Sequence, residues 1–431
     1  MRQQARIAIY GGGGAPYHHA AILARAGHRV DFVFPVDILN GVLRGFDAFV
    51  MPGGGYRAMR GQIDPLGRAG ARAIREYVES GGMYIGSCAG SYDAARAPAS
   101  FLSACPAQEE LCLLDAEIWN AGEEWLGLQS PGVGVVRAQT VLPDHPVMSG
   151  MPEHFEIVHY NGPLFRGGEA LAIVEGATDD FTPAEGFLRE HHEPTLIKEA
   201  AQQHIPNIVA GSLGAGRVVL FGSHPEFGFT LGMEDEQEAA RMLRNAVAWQ
   251  LDENGGKERP NVLLYAHSLP TSDDDLVAQV QRKATSVREC CASLRERDGE
   301  PSWLQRGFAM SIFGMQPCDI WEMALDTICH RAQEVEEHAS SVDLEVLAFR
   351  SPVDWQIDGG YQGVLALVEQ SEQLLAQALE TWDINLGQPA SDPYAFVHSS
   401  PYHLVAGSYL AAVGRMVGAK LLCEIAGRTE G

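Results

Sequence analysis

The chain has 431 residues, enough for two or three domains, and its 46% hydrophobic and 20% charged residues are those of a globular protein with a substantial core. Its 31 Lys and Arg stand against 56 Asp and Glu, a formal net charge of −25. So acidic a surface repels phosphate backbones and anionic lipid, which excludes nucleic acid and membrane surfaces as expected partners. No segment approaches the roughly 20 consecutive apolar residues that a bilayer span needs. The opening MRQQARIAIYGGGG lacks the apolar core and cleavage pattern of a secretory leader, so a cytoplasmic setting is expected. The eight cysteines form no C-x-x-C pair and no zinc-type spacing, so no metal or other cofactor is expected.

Arg6–Tyr10 (RIAIY) is a short β-rich run that ends in Gly11 to Gly14. A helix is expected from Pro16 to Ala26, stopped by Gly27, followed by strands at Val30–Phe34 and Ala48–Met51. Ile74, Tyr77 and Val78 recur at helical spacing within Arg68–Ser80, and Gly81-Gly82 closes that helix. Met83–Ile85 is the next strand, and Gly86 opens a tight turn. Strands alternating with helices predict an α/β fold, a parallel sheet covered by helices on both faces. Phe101–Asn207 is less regular, with strand and loop character. Asn207–Gly222 has the form of a hairpin, and a helix is expected over about Glu234–Gln250. Asp252–Pro260 (DENGGKERP) reads as a linker, dividing the chain into domains 1–252 and 261–431.

Beyond the linker, Val262–Tyr265 is the last β-like run. Asp273–Arg297, Ile320–Ser341, Tyr361–Trp382 and His403–Ala426 all read as helices, predicting a mainly α-helical bundle. Within it Asp326, His330, Glu334 and His338 recur at i, i+4, a stripe that fits an ordinary charged helix face better than a metal site completed by His398 or His403. The first glycine run, with Pro16 where a phosphate-binding motif needs its last glycine, reads as a tight turn carrying exposed His18 and His19.

Two segments carry chemistry. Gly86-Ser87-Cys88-Ala89-Gly90 has the form G-x-nucleophile-x-G directly after a strand and before a helical segment. Small flanking residues let the chain fold back around a nucleophile held on a sharp strand-to-helix turn, and a helix N-terminus favours a thiolate. Ser223-His224-Pro225-Glu226 follows the strand Val218–Gly222. A cysteine nucleophile needs a base, and the base needs a group that fixes its tautomer; His224 and Glu226, two apart on an extended segment, fit those needs.

In that order, these motifs resemble the class I glutamine amidotransferase-like superfamily, flavodoxin-like in fold, over about residues 5–251. The branch they resemble most is related to the N-terminal domain of biotin–protein ligases. Met51-Pro52-Gly53-Gly54-Gly55, His159-Tyr160-Asn161-Gly162-Pro163 and Gly216–Phe221 are similar to segments of that branch. The resemblance implies a Cys88–His224–Glu226 triad, with the backbone N–H groups of Ala89 and Gly54 stabilising an oxyanion. It also implies substrate contacts from Gly53, Tyr92, Tyr160 and Asn161. Glutaminases of this superfamily usually carry glutamine where Tyr92 stands, and neither a synthetase partner domain nor a biotin-ligase catalytic domain is evident after the linker.

The expected function is therefore a cysteine-dependent amidase or hydrolase acting on a small amide or peptide-like substrate through an acyl-thioester. The alternative is a non-catalytic ligand sensor or scaffold whose helical domain binds a protein partner. Cysteine peptidase or deglycase chemistry ranks third, because related branches place their histidine next to the elbow, where Ala89 stands.

Overall fold

The computed structural model describes residues 4–54, 59–122, 128–129, 131–178, 195–229, 236–254, 259–264, 275–297, 317–351, 360–380, 382 and 408–426. The strands before the linker are β1 (Arg6–Tyr10), β2 (Arg29–Val33), β3 (Ala48–Met51), β4 (Met83–Ser87), β5 (Ala116–Ile118) and β6 (Val133–Thr140). They continue with β7 (His154–Tyr160), β8 (Phe165–Gly167), β9 (Glu169–Ala177), β10 (Pro206–Leu213) and β11 (Gly216–Phe221). Nine of them form one sheet in the order β2-β1-β3-β4-β11-β10-β9-β6-β7, while β5 and β8 pair separately.

The sheet has two characters. β2, β1, β3, β4 and β11 pair in parallel, as the α/β pattern predicts. β10, β9, β6 and β7 pair antiparallel, so the expectation of a parallel sheet is corrected to a mixed one. The reason is the connections: β10 returns to β11 across a two-residue turn, and a hairpin can join only antiparallel strands. The sheet also curls, for Val158 in edge strand β7 bridges to His224 beyond β11.

β1 shows how both faces are filled. Successive side chains alternate across a strand. Ile7 and Ile9 join the apolar cluster containing helix α1 (Tyr17–Arg25) and the helix Ala240–Asn254, whereas Ala8 and Tyr10 join the cluster containing the helix Gly67–Glu79. The first of these clusters continues into the C-terminal helices. There Leu276–Arg295, Pro317–His338, Val364–Glu380 and Ser408–Ala426 pack as a four-helix arrangement. Two boundaries differ from expectation. The third of these helices starts at Val364, because Gly360, Tyr361 and Gln362 use their N–H groups on the first glycine run and Tyr17 of α1. The segment around Val262 is unpaired among the described residues: Val262 packs instead over Gly45, and Arg6 Nη1 donates to the Pro260 carbonyl at 3.2 Å.

The bundle is fastened to α1 and to the first glycine run. Gly360 N donates to Gly14 O at 2.9 Å, and Tyr361 N donates to Gly11 O at 3.0 Å. The Tyr361 ring stacks on Phe32 at 3.9 Å with planes 7° apart. Tyr17 Oη donates to Gly360 O at 3.1 Å and accepts from Gln362 N at 2.9 Å. At the other end of α1, Arg25 makes two bonds to Glu424, 2.8 and 2.6 Å, which hold the Glu424 carboxyl down to about 2. Among the described residues no helix is long and apolar enough to cross a membrane. We predict that Tyr361→Ala, removing a buried ring from this junction, costs about 3 kcal/mol in denaturant unfolding.

Candidate active site

Cys88 occupies the turn between β4 and the helix Ala89–Ala94 with φ 47° and ψ −107°, a backbone state that disfavours any residue bearing a Cβ. Hydrogen bonds hold it there. Cys88 N donates to Phe221 O at 2.8 Å, while Ser91 N and Tyr92 N donate to Cys88 O at 2.9 and 3.0 Å. The Ser91 hydroxyl lies 2.8 Å from the carbonyls of both Gly86 and Phe221, tying the elbow to β11. The flanking glycines are required by space. A Cβ on Gly90 would come within 2.2 Å of Met51 O, and one on Gly162 within 1.7 Å of Gly222 O.

His224 enters from the end of β11. Its backbone N donates to Val158 O at 2.7 Å and its ring lies over Phe227, centroids 4.6 Å apart. Its Nδ1 is 2.7 Å from Glu226 Oε1, and both side chains are buried. That contact assigns the Nδ1 proton to the carboxylate and leaves Nε2 for a reaction partner. Cys88 and His224 meet across Gly53: a Cβ there would lie 2.6 Å from His224 Cε1 and 2.9 Å from Cys88 Cβ. Cys88 and His224 thus converge on one glycine, and Glu226 is joined to them through the His224 Nδ1 contact. The Cys88 thiol donates to Tyr160 O at 3.2 Å.

Electrostatics follow from this enclosure. Burial alone would lower the His224 pKa, but Glu226 and Cys88 outweigh it and raise it to about 10. Burial alone would raise Glu226, yet the imidazoles of His19 and His224 bring it down to about 2. His159, behind His224, is pushed down to about 3 by burial and by His224; its Nδ1 lies 3.1 Å from Ser223 Oγ. Asp93, in the elbow helix, is raised well above the ordinary carboxylate value by burial and by Asp64 and Cys88, which favours its neutral form.

The other expected residues fall around the elbow. Tyr92 is buried, its hydroxyl accepting from Asn120 Nδ2 at 2.7 Å and donating to Asn161 O at 3.1 Å. Asn161 turns the chain at φ 51° and is held by paired bonds with Gly132. The Tyr160 ring stands perpendicular to His224 at 6.5 Å. Gly54 has φ +81°, and Ala89 begins the elbow helix. Gly55 lies outside the described residues.

One expectation is overturned. His19 is not an exposed loop histidine but fully buried in the first turns of α1, its Nε2 2.9 Å from Ser87 Oγ and 3.5 Å from Glu226 Oε2. His18 is partly buried, edge-on to Phe227 at 4.9 Å. The signal available in the sequence was position, since a helix that follows β1 through a glycine turn starts at the strand ends that line the crevice of such sheets. In the bundle, Asp326 pairs with Arg295, and Glu334 pairs with Arg331 at 2.5 Å. Among the described residues no group of three or more potential metal ligands occurs; His398 and His403 lie outside them.

A family model described as biotin-protein ligase, N terminal, matches residues 44–101, the stretch from β3 through the elbow. No curated protein matches the sequence. Among solved structures, PurLQS from Thermotoga maritima aligns at 13% identity over 58% of this chain and 100% of its own, with a TM-score of 0.36. A protein described as a candidate GMP synthase component, from Thermoplasma acidophilum, aligns at 14% identity over 59% of this chain and 98% of its own, TM-score 0.33. A cytoplasmic protein of Salmonella typhimurium aligns at 14% identity over 57% and 98%, TM-score 0.35.

Two outcomes are expected. Gly53→Ala should separate Cys88 from His224 and slow alkylation of Cys88 by about 100-fold, read by mass spectrometry. The second concerns pH. His224 is raised from its ordinary 6.5, so its contribution to stability is whole below 6.5 and lost as pH climbs through about 10. Glu226 is lowered from 4.5, so its contribution is whole above 4.5 and lost as pH falls through about 2. Glu226→Gln should therefore destabilise most between pH 4.5 and 6.5, by about 3 kcal/mol, and progressively less toward either extreme in urea unfolding.

Proposed function

We propose that this protein is a cysteine-dependent amidase or hydrolase for a small amide or peptide-like acyl substrate. The observation that carries the reading is that buried Cys88 and His224 meet across Gly53, with Glu226 on His224 Nδ1 and the sulfur on a strained elbow. It is a nucleophile, a base and an orienting carboxylate in the order acyl transfer requires.

In the reacting form the thiol proton already rests on His224, as its raised pKa favours, and Cys88 Sγ attacks the substrate carbonyl carbon as the thiolate of that pair while the carbonyl π-electrons move to oxygen. The backbone N–H groups of Ala89 and Gly54 stabilise that oxyanion, a contribution commonly about 3 kcal/mol per donor. As the C=O re-forms, the C–N bond breaks and His224 passes its proton to the departing amine, leaving an acyl-thioester. Water, deprotonated by His224, then attacks the thioester; the acid leaves and the thiol recovers its proton. Glu226 keeps the imidazole in one tautomer throughout and stabilises its cationic form.

The engaged Tyr92 hydroxyl favours a substrate other than glutamine, because both its hydrogen bonds are already used within the protein. One observation favours a second reading, a ligand-binding scaffold with a protein partner on the helical region: the Cys88 thiol donates to Tyr160 O in this state. The test is turnover. The protein should release ammonia or amine from at least one member of a panel of primary amides, acyl amino acids and short peptides, forming an acyl adduct on Cys88 detectable by mass spectrometry. Cys88→Ala and His224→Ala should each abolish release. Binding of a panel member with no adduct and no release, in wild type as in Cys88→Ala, would favour the scaffold.

A further inference from the structure

The Glu226 carboxylate has two oxygens, and the triad accounts for one. Oε1 holds His224 Nδ1 at 2.7 Å, while Oε2 faces His19 Nε2 at 3.5 Å inside a region from which both side chains exclude solvent. A buried carboxylate oxygen with no polar neighbour is costly and leaves the group free to rotate about its last torsion. His19 supplies that neighbour. Its Nε2 is also 2.9 Å from Ser87 Oγ, so the ring is fixed from β4, one residue before the nucleophile. Nε2 is hydrogen-bonded to the Ser87 hydroxyl, and the Glu226 oxygen lies at the longer, electrostatic distance of 3.5 Å; a proton on that nitrogen is attractive to both. Burial favours this neutral, Nε2–H form, against the pull of Glu226; His224 is the other charged group that acts on the ring.

We propose, on the basis of the triad reading above, that His19 is a positioning residue that holds Glu226 against His224, and that the C-terminal bundle holds His19 in place through α1. The second clause rests on where α1 is gripped. Tyr17, two residues before His19, has its hydroxyl between Gly360 and Gln362, and its ring would be met at 2.9 Å by a Cβ on Gly418. Arg25, at the far end of the helix, is paired with Glu424. The bundle therefore fixes both ends of the helix whose side chain reaches the triad, and the role of the region after the linker is to keep the triad ordered.

The test compares pH profiles of Cys88 alkylation by iodoacetamide in the full-length wild type and in His19→Ala, His19→Gln, Arg25→Ala and His224→Ala, each checked for folding by thermal unfolding. In His19→Ala, Cys88 should react about tenfold more slowly at neutral pH, and the limb of the profile set by His224 should move to lower pH, because a less firmly held Glu226 supports the imidazolium less. His19→Gln, which keeps an N–H donor, should recover part of both effects. Arg25→Ala should shift the limb in the same direction by a smaller amount. If His224→Ala changes the profile while both His19 variants keep the wild-type limb, the positioning role is wrong and the triad stands. If Arg25→Ala alone leaves the limb unmoved, the role given to the bundle is wrong. If His224→Ala itself leaves Cys88 unchanged, the triad reading fails and this proposal fails with it.

Discussion

The site depends on one steric constraint: the backbone at Cys88 must turn through φ 47°, where a side chain is unwelcome. The state survives because it is over-determined. β11 supplies the carbonyl of Phe221 to the Cys88 N–H, Ser91 clamps the carbonyls on either side, and glycines stand wherever another chain crosses closely. The order of strands serves the same end. By placing β11 beside β4, the sheet puts His224 one loop away from an elbow that is far from it in sequence. The meeting of Cys88 with His224 is a property of the sheet register more than of the loops.

Charge is the second requirement. An imidazole and a carboxylate this deeply buried would ordinarily both be driven neutral; Glu226 and Cys88 keep His224 charged, and His19 and His224 keep Glu226 charged. The surrounding groups respect that balance. Burial drives His159 neutral and pushes Asp93 toward its neutral form, so both are disfavoured as competing charges beside the pair. Tyr92 is built into the scaffold between Asn120 and Asn161.

How much of this was legible in the sequence follows from how local each signal is. Cys88, His224 and Glu226 could be read because each sits directly after a continuous apolar strand, β4 or β11, in a short segment whose composition suits only a tight turn or an extended stretch. The parallel half of the sheet was legible for the same reason. The antiparallel half was not. β7, HFEIVHY, has a mixed pattern of buried and exposed positions, and its partner β6 lies across a turn-rich connection that carries no helix to reveal it. His19 escaped because its burial is decided from outside its own segment. In the strand–glycine–helix pattern it is a polar residue near a helix start; only the packing of α1 on the sheet, which brings its ring to Ser87 and Glu226, buries it. Val262 failed as a strand because it meets Gly45 at the edge of the domain rather than another backbone.

The claim on which the account turns is that Glu226 holds a proton on His224 deep inside the protein. Site-resolved nitrogen and proton NMR of His224 across the pH range measures it directly. The account predicts a slowly exchanging Nδ1 proton shifted far downfield, an imidazolium that persists through neutral pH and is lost only as pH approaches about 10, and collapse of both features in Glu226→Gln. A His224 that titrates at or below its ordinary 6.5, with no protected Nδ1 proton and no response to Glu226→Gln, would contradict it.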